Sequence, residues 1–94
     1  MNFDWHPAKE EAVRERRGFG FADAAGIFLG RVEQWRDDRQ DYGEVRMVAV
    51  GEYDGVFYTV VYTDRMDEAG ELVRWIITAW PSNRKERALW RRSA

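Results

Sequence analysis

The stretch from Val45 to Trp80 limits most what this chain can become. Its runs VRMVAVG, VFYTVVYT and LVRWIITAW are dense in β-branched and aromatic residues, which suit a pleated, half-buried surface. Glu52-Tyr53-Asp54-Gly55 separates the first two runs, and Asp-Gly is a strong signal for a tight hairpin. Asp64 to Glu71, with Gly70 near its end, reads as a longer and looser hairpin connection. Val56 to Thr63 is expected to be a central strand. Leu72 to Ala79 is apolar on both faces of the pleat and is expected to be covered on both sides. Arg46, Arg65 and Arg74 lie among or beside these apolar residues. Such a sheet is either a scaffold alone or a surface that also holds phosphate.

The flanks add helices. Phe3 and Trp5 alternate with polar neighbours as in a short strand, and Pro7 suits the first position of a helix running through Ala8 to Arg17. Gly18 fits the left-handed position past its end, where Arg16 and Arg17 favour the negative end of the dipole. Phe21, Ala24, Ala25 and Phe28 fall at helical spacing, which predicts a second short helix over 21–28. Val32 to Arg36 alternates weakly, as an edge strand would. The polar run DDRQDYG, Asp37 to Gly43, is expected to be a mobile loop. Pro81 ends the last strand, and Asn83 with Glu86 three residues later forms a capping-box signal for a helix over Arg84 to Arg92. The expected architecture is α+β, a small antiparallel sheet with N-terminal helices and a short C-terminal helix.

Ninety-four residues suit one domain, 1–94, with a modest core. The absence of Cys excludes a thiolate nucleophile, a disulfide framework and a Cys-based zinc site, and fits a reducing cytoplasm. No apolar run approaches the length of a membrane span and no signal-peptide pattern opens the chain. The net charge of −2 does not favour nucleic acid, but 13 of the 15 basic residues are Arg, whose planar fork matches phosphate. Five Trp, five Phe and four Tyr exceed what a core of this size readily hides, so Trp35, Trp80 or Trp90 is expected at the surface, where aromatic residues often mark interfaces.

His6, the single histidine, sits where the first helix begins and reads as a cap or surface residue, so triads built on His are set aside. No carboxylate spacing stands out as a metal site, and Gly18-Phe19-Gly20 lacks the context of a phosphate loop. What remains is phosphate chemistry by positioning and charge. RNA supplies its own 2′-hydroxyl nucleophile, so cleavage needs a base, an acid and cations rather than a metal or cofactor. Arg stays protonated and is a poor base, whereas a carboxylate beside arginines is a better one. Glu44 and Arg46 are two residues apart and project from one side of a strand, either as base and phosphate ligand or as a plain ion pair. Glu86 reads as completing its helix cap.

Taken together, several segments resemble one family. They are Phe3-x-Trp5, the helix through Arg16 closing at Gly18, Glu44-Val45-Arg46 with Gly51, Val60-Val61-Tyr62-Thr63-x-Arg65, and Arg74-x-Ile76-Ile77-Thr78-Ala79 followed by Arg84-Lys85-Glu86. They resemble the BrnT toxins of type II toxin–antitoxin systems, in order and over nearly the whole chain. The resemblance implies a RelE-like fold and a metal-independent, cofactor-free endoribonuclease that blocks translation. It also implies neutralisation by a ribbon-helix-helix antitoxin, BrnA, in a hetero-oligomer that reaches operator DNA only through the antitoxin. By the same resemblance Arg46 and Arg65 hold the scissile phosphate, Arg16 assists, and Glu44 orients them or acts as base. Arg17, Arg74, Trp80 and Arg84 are further candidates for RNA contact, and the basic helix Arg84 to Arg92 suits an acidic antitoxin segment. The chain departs from the family pattern at His6, where Asp is usual, at Arg17, where His is usual, and at Trp80, where an Arg follows the strand's Ser-Ala. Trp80 therefore offers a stacking surface in place of a cation. A catalytically weakened protein that acts as an antitoxin-binding co-repressor is the alternative the departure raises.

Overall fold

A computed structural model describes residues 1–93, with Ala94 outside them. The strands are β1 (Asn2–Trp5), β2 (Glu33–Arg36), β3 (Met47–Tyr53), β4 (Val56–Met66) and β5 (Leu72–Pro81). The helices are α1 (Pro7–Arg17), α2 (Phe21–Ala25) and α3 (Arg84–Arg92), with a 3₁₀ turn over Gly26–Leu29 after α2. The five strands form one sheet in the order β1-β5-β4-β3-β2. The α+β class holds, and the sheet is mixed rather than antiparallel throughout, because β1 joins β5 in parallel. Parallel pairing needs a long crossover, and the whole chain between Trp5 and Leu72 supplies it.

The β3–β4 hairpin turns on Asp54 and Gly55, whose φ values of 51° and 79° are the left-handed pair that a two-residue turn matching the sheet's twist requires. Beyond it β4 runs on to Met66, so Asp64 and Arg65, expected in a loop, are strand residues. Cross-strand contacts on both faces explain the extension. Arg74 forms two hydrogen bonds of 2.8 and 2.9 Å to Asp64 opposite it, and the Arg65 guanidinium lies over the Trp75 ring.

One face of the sheet, which we call the covered face, carries α1, α2 and the 3₁₀ turn. Val13, Phe21 and Ile27 from these elements pack with Ala49, Val60, Tyr62 and Ile76 as a continuous core. Gly26 lets the Tyr53 ring lie against the backbone, since a Cβ there would fall 2.3 Å from the ring. It also marks the switch from α2 to the tighter turn, so the helix expected over 21–28 is divided in two. Glu10 is buried beneath α1. It accepts hydrogen bonds from Arg14 and from the Phe21 amide, which lies at the start of α2. The Arg14 bond, chiefly, lowers its pKa.

The second face is covered only at one end. There α3 packs against β3, with Phe57 edge-on to Trp90 and Thr59 hydrogen-bonded to Ser82 at 2.8 Å. Asn83 accepts from the Glu86 amide and Glu86 accepts from the Asn83 amide, each at 2.8 Å, so the expected capping box is formed. Toward the start of β5 this face is open, and Trp75 and Thr78 are half-buried. The expected double covering of β5 therefore holds only near Trp80.

A bulge in β5 decides what the open face displays. Val61 pairs with Thr78 and Tyr62 with Ile76, leaving Ile77 as the extra residue. Trp75 and Trp80 are five apart and would point to opposite faces of a regular strand. The bulge turns both to the open face.

Candidate functional site: a carboxylate between two arginines

Pairing of β3 with β4 stops at Met47 opposite Tyr62, while β4 continues. The chain Glu44-Val45-Arg46 leaves the sheet there. It is held by Thr63, whose hydroxyl donates to the Val45 carbonyl at 2.7 Å, and by the Asp37 amide, which donates to the Arg46 carbonyl at 2.8 Å. A notch of about 350 Å³ opens between Glu44 and Arg65. Alternation along β4 puts Arg65 on the open face with Thr63 and Val61.

Glu44 lies between the two guanidiniums. Its Oε2 is 3.4 Å from Arg46 Nε and its Oε1 is 3.4 Å from an Arg65 terminal nitrogen. These are at the long end of hydrogen bonding, so the arginines are not committed to this carboxylate. Each guanidinium instead rests on a ring, Arg46 4.0 Å from the Tyr42 centroid and Arg65 4.7 Å from that of Trp75. Stacking fixes the planes and leaves donor edges for an incoming anion. The side chains of Glu44 and Arg46 are 29% and 27% exposed, and that of Arg65 is 47% exposed. The arrangement is an accessible carboxylate flanked by two oriented cations.

The other candidates are dispersed. Arg16 lies in the last turn of α1, three residues before Phe19, which packs on Tyr58 with ring centroids 4.9 Å apart. Tyr58 is seven residues along β4 from Arg65, about 23 Å of extended strand. Arg16 and Arg17 are therefore tethered to the far end of β4, and both are exposed. Arg74 points to the covered face, paired with Asp64 and lying over Phe28 and Tyr62 at 4.8 and 4.1 Å. The Asp64 hydrogen bond is the main cause of its raised pKa. Arg84 is exposed in the first turn of α3. Trp80 is on the open face, and its indole N–H donates to both oxygens of Glu86 at 3.2 Å.

Sequence reasoning missed the support beside Arg46. Asp37 accepts two hydrogen bonds of 2.8 Å from the Arg39 guanidinium and one of 3.2 Å from the Tyr42 hydroxyl. The Arg39 contact, above all, lowers the Asp37 pKa from 3.8 to about 2. The loop expected to be mobile is thus tied to itself, and Tyr42 is held under Arg46. The available signal was Asp37, Arg39 and Tyr42 close together in a Gly-terminated loop, a pattern too common to single out.

Among the described residues, no three His, Asp or Glu side chains converge as metal ligands, and no helix is long and apolar enough to cross a membrane. No match was found among curated proteins. A family model described as the ribonuclease toxin BrnT of a type II toxin–antitoxin system matches residues 5–86, which include the last residue of β1, the other four strands and the start of α3. With most of its length matched, the chain belongs to the BrnT family of ribonuclease toxins of type II toxin–antitoxin systems.

Proposed function

We propose that this BrnT-family protein is a metal-independent endoribonuclease that cuts RNA at Glu44, Arg46 and Arg65. The observation that carries the reading is the Glu44 carboxylate held between two ring-stacked guanidiniums in an open notch. In the reaction Glu44 takes the proton of the 2′-hydroxyl, the 2′-oxygen attacks phosphorus, and the P–O5′ bond breaks. The leaving 5′-oxygen takes a proton from solvent. Arg46 and Arg65 turn from Glu44 to the non-bridging oxygens, where negative charge grows in the transition state. The products carry a 2′,3′-cyclic phosphate and a 5′-hydroxyl. Arg16, at the far end of β4, contributes less than these three. In the cell the cleavage arrests translation.

The test is cleavage of a labelled RNA by the purified protein in the presence of a chelator. Arg46→Ala and Arg65→Ala are each expected to lower the rate about 100-fold, as for other single donors to a transition state. Glu44→Gln, nearly the same shape, should abolish the reaction. Full rates in all three variants, or a requirement for metal, would remove the assignment.

A toxin of this class has an antitoxin partner. We assign it as a DNA-binding, ribbon-helix-helix protein of the BrnA type, through which the hetero-oligomer reaches operator DNA. Charge reversal at Arg84 and Arg87, on the α3 side, is expected to weaken co-purification with the antitoxin.

One observation favours a second reading, a weakened nuclease acting as antitoxin-binding co-repressor. Trp80 stands in place of the resembled family's arginine and is held by Glu86. A large gain in cleavage on Trp80→Arg would support it.

A further inference from the structure

Beside the notch, the open face holds a second concavity. A cleft of about 450 Å³ lies over Val48, with half-buried Trp35 on one side and Trp80 on the other. Trp35 on β2 is directly opposite Val48, and Trp80 on β5 is opposite Thr59, whose side chain shares the face of Val61. Trp35 on the edge strand β2 and Trp80 on β5 thus flank the small side chains of β3 and β4 that lie between them.

The cleft neighbours the Glu44 notch. A third hollow of about 460 Å³ shares Asp37 and Asp38 with the tryptophan cleft, and it shares Glu44 with the notch. Arg46 precedes Val48 by two residues, about 7 Å along a strand. A polymer whose phosphate sits on Arg46 and Arg65 would therefore lay its next residues along this trough.

The charges lining the cleft have partners there. Arg36 pairs with Asp38 at 3.0 Å and Arg39 with Asp37 at 2.8 Å. Glu86 accepts from Trp80 and from the Asn83 amide. The lining thus sets two arginines against three carboxylates and offers no net positive charge to a phosphate, while Trp35 and Trp80 give it an aromatic surface. A flat, uncharged aromatic group fits that description, and stacking on such rings is how bases of single-stranded nucleic acid are held.

We propose that the Trp35–Trp80 cleft is a nucleobase subsite, which takes a base of single-stranded RNA close to the phosphate held at Arg46 and Arg65. The inference rests on the ribonuclease reading above. It is tested by binding rather than cleavage. The probe is a fluorescently labelled RNA fully 2′-O-methylated, which cannot be cut by 2′-hydroxyl attack, and a series in which each nucleotide in turn is made abasic. Anisotropy with the wild-type protein is expected to find one position whose abasic form binds about tenfold more weakly. Trp35→Ala and Trp80→Ala should lose a similar amount on the intact RNA and nothing further at that position. Trp80→Phe, which keeps a ring but not the Glu86 hydrogen bond, should retain most of the affinity. This separates stacking from the support of α3.

Equal binding of every abasic RNA by the wild type overturns the subsite, as does an abasic penalty that persists unchanged in both alanine variants. Loss of antitoxin binding with RNA binding intact would give the cleft to a protein partner and also overturn it. Failure of the ribonuclease reading is seen separately, as the absence of Arg65-dependent cutting of unmodified RNA.

Discussion

Asp37 is the charge most deeply held near the site, with its side chain 2% exposed and its carboxylate gripped by Arg39 and Tyr42. Its pKa of about 2 in the folded chain lies below the ordinary 3.8, so the unfolded state takes up the proton first as pH falls. The stability it contributes is complete above the unfolded value and is lost as pH drops through about 2. Urea titrations of the wild type and of Asp37→Asn are expected to differ most above pH 4 and to converge toward pH 2. Parallel curves over that range would show that Arg39 does not hold the carboxylate. Because the Asp37 carboxylate also holds the Tyr42 hydroxyl, and the Tyr42 ring lies under Arg46, the variant should cut RNA more slowly at neutral pH. The sequence allowed Glu44 and Arg46 to be paired by their spacing. It did not separate a catalytic carboxylate from an ion pair, since that depends on how far Arg65 can share the same oxygen pair.

At the scale of elements, caps and turns were legible because they are local. Asn83 with Glu86, Gly18 after α1 and Asp54-Gly55 each act through backbone groups a few residues away, and each stands where expected. Asn83→Ala removes the acceptor of the Glu86 amide and is expected to cost about 1 kcal/mol in chemical denaturation. It should lower the cleavage rate far less than Arg65→Ala does, because Asn83 touches neither Glu44 nor its two arginines. A loss of activity equal to that of Arg65→Ala would contradict this separation. The end of β4 was not legible. Asp64-Arg65-Met66 is polar enough to read as loop, and only the partners on β5, Arg74 for Asp64 and Trp75 for Arg65, keep it in the sheet. That extension is what presents Arg65 beside Glu44.

For the whole molecule, a net charge of −2 gives no general attraction for RNA, so affinity must come from a few local contacts. If Arg46 and Arg65 are the phosphate ligands, the log of the binding constant should fall with log salt at a slope of about −1.4, by about 0.7 per contact on a single strand. Arg65→Ala should reduce the slope by about 0.7. A much steeper slope, or one insensitive to Arg65, would mean that the backbone runs over other arginines, such as Arg84 and Arg91 on α3. Titration by anisotropy at several salt concentrations decides between them.

The sequence by itself determined the α+β class, the hairpin at Asp54-Gly55, the glycine that ends α1, the capping box that starts α3, and the family, because periodicity, turn chemistry and local motifs are written in neighbouring residues. The tertiary structure alone decided the parallel docking of β1 on β5, the bulge at Ile77 that sends Trp75 and Trp80 to one face, and the opposite fates of Arg65 and Arg74. Each depends on a partner ten or more residues away. A single-residue change in register turns a side chain from one face to the other, and no local pattern records it.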